Sequence, residues 1–148
     1  KVFTHPEIFL ELQTSNSIIQ NILDTKATAK FDNEAFNNLL QIQLSEFKVY
    51  LQADLTLPNL AEKMQVPYHQ LSSYINKNFG LNFNDFINKR RIEEVKTRLL
   101  NSDYNHLTIE AIGKSVGFNS KVAFYNAFKK FENCTPSSYK KTHHLKTA

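Results

Sequence analysis

Cysteine, glycine and proline are scarce in this chain of 148 residues, and it lacks an apolar run long enough to span a membrane. The single cysteine, Cys134, excludes an internal disulfide and any zinc site built from several cysteines, and it fits a reducing compartment. Three glycines and four prolines are too few for the many turns of a barrel or a sandwich. The composition therefore favours helices, and residues 1–12 show no cleavable signal pattern.

Sequence signals for catalysis and for bound metal are also sparse. The chain has no glycine-rich phosphate loop, and its five histidines do not form a pair one helical turn apart. No motif places a histidine as a base for Cys134, and the adjacent His143 and His144 lie close to the end of the chain. The sequence therefore predicts neither an enzyme nor a site for a cofactor or metal.

The charged residues are unevenly distributed along the chain. Residues 1–52 carry 4 Lys/Arg and 6 Asp/Glu, a net charge of −2, whereas residues 53–148 carry 14 and 8, a net charge of +6. The 41% hydrophobic content is sufficient for a packed core, so disorder of the whole chain is not expected. A polyanion would be expected to dock on the basic C-terminal two-thirds.

Residues 1–52 are predicted to form an N-terminal helical or linker segment. From Asn33, a suitable N-cap, large apolar residues recur at spacings of four, four, three and four: Phe36, Leu40, Leu44, Phe47 and Leu51. This spacing predicts an amphipathic helix that ends near Gln52. Two interpretations stay open, namely that the apolar stripe packs on the following domain, or that residues 34–52 form a homodimer or transmit a signal.

Two short helices joined by a tight turn are predicted over residues 56–80. Thr56 is a suitable N-cap, and Pro58 fits the first turn of a helix. Pro67 disfavours a helical residue before it, so the first helix must end there, and Gly80 ends the second. The inner faces comprise Leu57, Leu60, Ala61, Met64, Leu71, Tyr74, Ile75 and Phe79. This is a helix-turn-helix arrangement.

A longer helix is predicted over residues 82–101, capped by Asn82 or Asn84. Its apolar side comprises Phe83, Phe86, Ile87, Val95, Leu99 and Leu100. Its cations are expected elsewhere on its surface: Lys89, Arg90, Arg91, Lys96 and Arg98. This helix would join the first helix pair to whatever follows it.

The two-helix pattern returns over residues 108–141. Thr108 and Ser120 are suitable caps for its two helices, and Gly117 lies in the turn between them. Thr135-Pro136 starts a last short helix, with a frayed tail from Thr142. The caps Thr56 and Thr108 are 52 residues apart, which indicates a duplicated unit rather than a solenoid.

The second unit carries the most specific motif of the chain. It reads Ile109-Glu-Ala-Ile-Gly-Lys-Ser-Val-Gly-Phe118, then Phe124-x-x-x-Phe128-Lys-Lys130, then Thr135-Pro-x-x-Tyr139. This pattern closely resembles the C-terminal signature of the AraC/XylS transcription regulators. The first unit is similar to that family's first motif at Leu57, Leu60, Ala61, Leu71, Phe79 and Gly80, and Asn82–Ile92 looks like its linker helix. The resemblance covers residues 54–141.

The resemblance implies an all-α fold: two helix-turn-helix subdomains joined by a long linker helix, with an extra N-terminal helical segment. It implies that residues 53–148 are the DNA-binding domain of a bacterial transcription regulator, an activator, with double-stranded DNA and RNA polymerase as partners and no cofactor. The N-terminal third resembles the segment before the DNA-binding domain in regulators whose sensor lies elsewhere, including membrane-anchored ones. The start at Lys1 rather than Met is expected either for a fragment of a larger protein or for a processed chain. From the resemblance we expect a cytoplasmic location and a sensor domain outside this chain.

The outward residues near the N-terminus of a recognition helix reach base edges in the major groove. By position in the motif, the base-reading candidates are His69, Ser72, Ser73 and Asn76 in the first unit and Lys121, Val122, Tyr125 and Asn126 in the second. The phosphate candidates are Tyr68, Lys77, Ser120 and Lys129. The inner residues Leu71, Ile75, Phe124 and Phe128 are assigned to the core.

Two departures from the family pattern affect the second unit. Asn133 stands where the family usually has a glycine; because asparagine tolerates a left-handed backbone, the turn should survive. Val122 and Ala123 replace small hydroxyl residues, which leaves apolar contact with a thymine methyl at this point of the helix.

The alternative function is a helical protein–protein interaction module without DNA binding, because a helix-turn-helix shape alone does not define a function. The DNA-binding hypothesis requires that the polar faces of both units point together toward one double helix.

Overall fold

The computed structural model describes residues 33–147, with side chains to residue 144, and in that range it contains seven α-helices and no strand. The helices are α1 (Asn33–Ser45), α2 (Leu57–Met64), α3 (Tyr68–Phe79), α4 (Phe83–Leu100), α5 (Ile109–Ser115), α6 (Lys121–Glu132) and α7 (Pro136–Thr147). Short 3-10 segments occupy Val49–Leu51 and Ser102–Tyr104. The all-α fold with two helix-turn-helix units on a linker helix is confirmed.

The chain divides into two compact units, residues 1–38 and 39–148. Of the first unit the structure describes residues 33–38, which form the start of α1. The segment predicted over residues 1–32 lies outside the described residues. A domain boundary at residues 52 and 53 stays a prediction.

Side-chain caps explain where α2, α4, α5 and α6 begin, and Thr135 caps α7 in the same way at 3.2 Å. In each, the cap oxygen accepts a hydrogen bond of 2.9–3.3 Å from the backbone N–H three residues further on. The caps are Thr56 for α2, Asn82 for α4, Thr108 for α5 and Ser120 for α6. Such a bond satisfies one of the free N–H groups of the first turn. These starts agree with the sequence prediction.

Residues with a left-handed backbone end three of the helices. Gln65, Gly80 and Asn133 have φ angles of 56°, 66° and 56°. The N–H of Asn133 donates to the carbonyl oxygen of Lys129 at 2.9 Å, so the helix closes at this asparagine without a glycine. The prediction that the turn survives this departure is confirmed.

The helix predicted to reach Gln52 ends at Ser45, so that part of the prediction is wrong. The N–H groups of Glu46 and Phe47 both donate to Ile42, and Lys48 adopts a left-handed backbone with φ 45°. This redirects the chain, leaving the side chain of Phe47 64% exposed while Val49 and Tyr50 become buried. The helical spacing of apolar residues in the sequence continues through Phe47 and Leu51, although the helix itself ends at Ser45.

Helix α4 lies at the centre of the domain core. Its residues Ile92, Val95 and Leu99 are fully buried. They share a cluster with residues of the second unit: Ile112, Val116, Phe118, Phe124, Ala127 and Phe128. The C-terminal half of the linker helix is therefore part of the core of the second unit.

Four further expectations about side chains and helix ends were wrong. Phe79 and Leu100, assigned to apolar faces, are exposed, and Arg91, placed on the surface, is buried with 8% exposure. Phe79 and Leu100 are the last residues of their helices, where neighbouring elements cover less of the surface. Helix α7, expected to fray from Thr142, continues to Thr147.

Candidate nucleic-acid interface

Helix α3, the second helix of the first unit, has clearly separated inner and outer faces. Leu71 and Ile75 are fully buried. The predicted base-reading residues His69, Ser73 and Asn76 are exposed, whereas Ser72 is half-buried. The phosphate candidates Tyr68 and Lys77 are exposed as well, and the ring of Tyr68 lies edge-on to that of His69 at 5.9 Å between centroids. A short polar and aromatic surface therefore lies opposite the buried side of α3.

Helix α6, the second helix of the second unit, repeats this arrangement. Phe124 and Phe128 are buried, with their rings edge to face at 6.1 Å between centroids. The side chain of Val122 is 69% exposed, as contact with a thymine methyl would require. The candidate Tyr125 is half-buried. The remaining candidates on this helix and at its cap are exposed: Ser120, Lys121, Asn126 and Lys129.

Gly113 lets the two helices of the second unit approach each other closely. A β-carbon at this position would lie 2.7 Å from the ring of Phe124, far inside van der Waals contact. The ring of Phe118, in the turn, packs 5.4 Å from that of Phe124. Glycine at residue 113 is thus a requirement for the position of the recognition helix.

Ion pairs and hydrogen bonds connect the linker helix α4 to the second unit. Lys96 pairs with Glu132 at 3.0 Å, and both side chains are largely buried. Lys130 pairs with Asp85 at 2.8 Å. These two pairs bring the C-terminal end of α6 against α4.

Two further contacts connect α4 to α5 and to α3. Arg98 donates to the hydroxyl of Ser115 at 2.8 Å, which connects α4 to the end of α5. The first unit meets α4 through apolar contact, because the rings of Phe79 and Phe86 lie 4.8 Å apart. Both recognition helices therefore pack against a single helix.

The buried Arg91 fixes the segment that precedes the first unit. Its Nε and Nη2 atoms donate to the carbonyl oxygens of Tyr50 and Gln52, each at 2.7 Å. The amide of Asn119, in the turn of the second unit, donates to the carbonyl oxygen of Ala53 at 3.0 Å. Burial lowers the pKa of Arg91 from its ordinary value. These bonds, here called the Arg91 clasp, hold residues 50–53 against the linker helix and the second unit.

An acidic residue that the sequence reading did not single out contacts the start of α6. The carboxylate of Glu110, in the first turn of α5, lies 3.0 Å from the ammonium of Lys121 and accepts a hydrogen bond from the hydroxyl of Tyr125 at 3.0 Å. The hydrogen bond from Lys121 holds the pKa of Glu110 below its ordinary value. An acid in the first turn of a helix is a common partner of the helix dipole, so no sequence signal connects Glu110 with α6.

Ser120 has a structural role in addition to its predicted contact with phosphate. Its oxygen accepts a hydrogen bond from the N–H of Ala123 at 3.1 Å and so caps the recognition helix. The hydroxyl hydrogen can still be donated outward, so capping and phosphate contact are compatible.

Among residues 33–147, no group of three or more His, Cys, Asp or Glu side chains is arranged to hold a metal ion. No helix over that range combines the length and the apolarity of a membrane span.

Comparison with protein families identifies the segment that contains both units. A family model described as a helix-turn-helix domain matches residues 60–142, from the first helix of the first unit into α7. The HTH-type transcriptional regulator YtdP of Bacillus subtilis is 24% identical over 140 residues, which cover 95% of this chain and 17% of that relative. The chain thus spans about a sixth of the length of that regulator.

Two solved structures are similar in both sequence and fold. The C-terminal domain of AraT, a response regulator from Geobacillus stearothermophilus, is 31% identical with a TM-score of 0.59, over 70% of this chain and 84% of that chain. The C-terminal domain of the two-component response regulator yesN from Fusobacterium nucleatum is 33% identical with a TM-score of 0.58, over 70% of this chain and 98% of that chain.

Proposed function

The chain belongs to the AraC-type helix-turn-helix domain family of DNA-binding transcription regulators, and we propose that α3 and α6 bind successive major-groove segments of one DNA duplex. The observation that carries this proposal is that α3 and α6 have the same arrangement of a buried face and an exposed face. Each recognition helix buries large apolar residues on one side and exposes short polar or basic residues on the other, and both pack on α4.

The length of the linker helix supports binding by two recognition helices. With 18 residues, α4 is about 27 Å long at 1.5 Å per residue, comparable with the roughly 34 Å of one DNA turn. A single chain can then read a long asymmetric site without forming a dimer. That the outer faces of α3 and α6 point to the same side stays a prediction, and chemical protection of two adjacent groove segments by one chain would test it.

The residue roles in this proposal follow the exposure of each side chain. His69, Ser73 and Asn76 on α3, with Ser72 at the edge of the buried face, contact bases in the first groove segment. On α6 the base contacts belong to Lys121, Val122, Tyr125 and Asn126. Tyr68, Lys77, Ser120 and Lys129 contact phosphates and set the register.

Partners beyond DNA complete the proposal. In this proposal a sensor domain outside this chain supplies the signal, and the DNA-bound protein acts on RNA polymerase. The DNA-binding domain lies in the cytoplasm whether or not the full protein is anchored in a membrane.

Residues 34–52 form a homodimer contact, and the exposed side chains of Leu39, Ile42 and Phe47 support this part of the proposal. If Ile42→Asp leaves the sedimentation-derived mass of the chain unchanged and that mass is a monomer, the dimer proposal is wrong.

Electrophoretic mobility on duplex DNA at about 50 and 200 mM salt tests the central proposal. Neutralising each phosphate releases counterions, so the affinity of a DNA-binding protein should fall steeply between these conditions. The alternative, an interaction module without DNA binding, predicts weak retardation in both. Sites selected from a random pool then give the preferred sequence against which variants are compared.

A further inference from the structure

Glu110, Lys121 and Tyr125 form a three-residue cluster, here called the Glu110 cluster, at the N-terminal end of the second recognition helix. One carboxylate oxygen, Oε1 of Glu110, lies 3.0 Å from Nζ of Lys121 and accepts from the hydroxyl of Tyr125 at 3.0 Å. The ammonium of Lys121 also lies 5.6 Å from the centre of the Tyr125 ring. Two of the four base-reading candidates on α6 are therefore joined through one acid on the preceding helix.

The charge of Lys121 is compensated while this cluster is intact. The hydrogen bond to Glu110 raises the pKa of Lys121, and that of Glu110 lies below its ordinary value, so both groups are charged at neutral pH. The Lys121 side chain is nevertheless 67% exposed, so it can leave the carboxylate without a rearrangement of the core. When DNA binds, an acceptor atom of the DNA must replace the Glu110 carboxylate as the partner of the Lys121 ammonium, or share the ammonium with it.

Phosphates and base edges differ in how they meet such a cluster. A phosphate is an anion and is repelled by the Glu110 carboxylate, whereas O6 and N7 of guanine are neutral acceptors in the major groove. Specificity is a difference between affinities, and it increases when binding to the wrong partner is weakened. An acid beside a base-reading lysine has this effect, because it disfavours contacts that any DNA sequence offers.

We propose that Glu110 is a specificity-determining residue. It binds the side chains of Lys121 and Tyr125 until a base edge accepts hydrogen bonds from them, and it thereby prevents Lys121 from binding the phosphates of random-sequence DNA. This inference rests on the proposed function, because it assigns a task to a residue beside the second recognition helix. Glu110 acts through Lys121, so it is a positioning residue rather than a direct contact.

Glu110→Gln is the variant that tests the inference, because it removes the charge, keeps the shape and retains an oxygen for the Tyr125 hydroxyl. On a random-sequence duplex it should bind more tightly than the wild type. If the released Lys121 makes one additional phosphate contact, the affinity of this variant should fall by a further factor of roughly 3.5 between about 50 and 200 mM salt. The reason is that each phosphate contact adds about 0.9 to the slope of log affinity against log salt concentration. The ratio of affinities for a selected site and random DNA should decrease.

Two further proteins separate this effect from a change in overall charge or in folding. Asp103→Asn removes the same charge from an exposed residue in the connector between α4 and α5, to which no DNA contact is assigned, and it should leave the salt slope unchanged. In Glu110→Gln/Lys121→Ala the additional slope should vanish, because the lysine that it depends on is absent. Equal melting temperatures for Glu110→Gln and the wild type verify that folding is intact.

The outcomes distinguish this inference from the function on which it rests. If the wild type binds DNA and Glu110→Gln matches Asp103→Asn in affinity and slope, the role of Glu110 is overturned while DNA binding stands. If the additional slope survives in the double variant, Glu110 does not act through Lys121, and the inference is also wrong. A wild type that fails to bind duplex DNA overturns the proposed function, and the inference with it.

Discussion

Gly117 leaves open the space that the guanidinium of Arg91 occupies: a β-carbon at residue 117 would lie 2.9 Å from Nε of Arg91. It would also lie 3.0 Å from the carbonyl oxygens of Tyr50 and Leu51. The φ angle of Gly117 is 105°, a backbone conformation that side chains rarely adopt. The turn of the second unit therefore packs against the Arg91 clasp through a contact that requires glycine.

Gly117→Ala should lower the free energy of unfolding by about 1–3 kcal/mol, because the backbone is strained and the clasp must move. Gly80→Ala is the matched control: Gly80 has a φ of 66°, and nothing lies within 4 Å of its β-carbon position. It should lose only the left-handed backbone preference, about 1 kcal/mol. Urea denaturation measures the free energy of unfolding of both variants. If Gly117→Ala lowers it by no more than Gly80→Ala does, the packing of residue 117 against the Arg91 clasp is contradicted.

Arg91→Lys should also destabilise the domain although the charge is kept. Lysine cannot donate to two carbonyl oxygens in the fixed geometry of a guanidinium, so one of the acceptors, Tyr50 or Gln52, loses its partner. A buried acceptor left unsatisfied costs about 1–3 kcal/mol. Lys89→Arg, at an exposed position on the same helix, should change stability by less than about 0.5 kcal/mol. Urea denaturation of the two variants should differ clearly; equal midpoints would count against the clasp.

Much of the helical framework could be predicted because its signals are local. Thr56, Asn82 and Thr108 act as caps within three residues of their partners, and Gly80 and Asn133 end helices through their own backbone preference. The candidate residues of the interface followed from the family motif, and most of them are exposed. Their contacts with DNA stay predictions.

The rest depends on contacts between residues far apart in sequence. Arg91 looked like a surface cation because its acceptors are carbonyl oxygens about 40 residues earlier, which have no sequence signature. The pairing of Glu110 with Lys121 requires the distance between two helices, which periodicity does not give. The end of α1 was missed because Lys48 gave no sign of its left-handed backbone.

Gly113→Ala should displace the second recognition helix. Its methyl group would overlap the ring of Phe124, and overpacking of this kind costs about 1–3 kcal/mol. Phe124→Leu should be destabilising by itself but should recover part of the loss in the double variant, because the smaller side chain makes room. A double-mutant cycle by thermal unfolding measures this coupling. Strictly additive effects would show that the ring of Phe124 does not limit residue 113.

Asn126→Ala and Lys129→Ala should differ in how they weaken DNA binding. If Asn126 contacts a base, its loss should cost about 1–3 kcal/mol on the selected site and little on sequences altered at that base. Lys129→Ala should weaken all sequences alike and reduce the salt slope by about 1. Titrations of site variants at two salt concentrations separate the two patterns. A sequence-independent loss for Asn126→Ala would remove it from the base-reading set.

Ser120 allows the capping role and the phosphate role to be separated. Aspartate caps a helix about as well as serine, and its charge suits the helix N-terminus, so Ser120→Asp should keep the stability of the wild type. Its carboxylate cannot donate a hydrogen bond and repels phosphate, so DNA affinity should fall on every sequence.

Ser120→Ala should lose about 1 kcal/mol of stability as well as the phosphate contact. Thr108→Asp, the same change at the cap of α5, is the control and should bind DNA as the wild type does. If Ser120→Asp and Thr108→Asp bind equally well in fluorescence anisotropy, Ser120 caps the helix but does not contact phosphate.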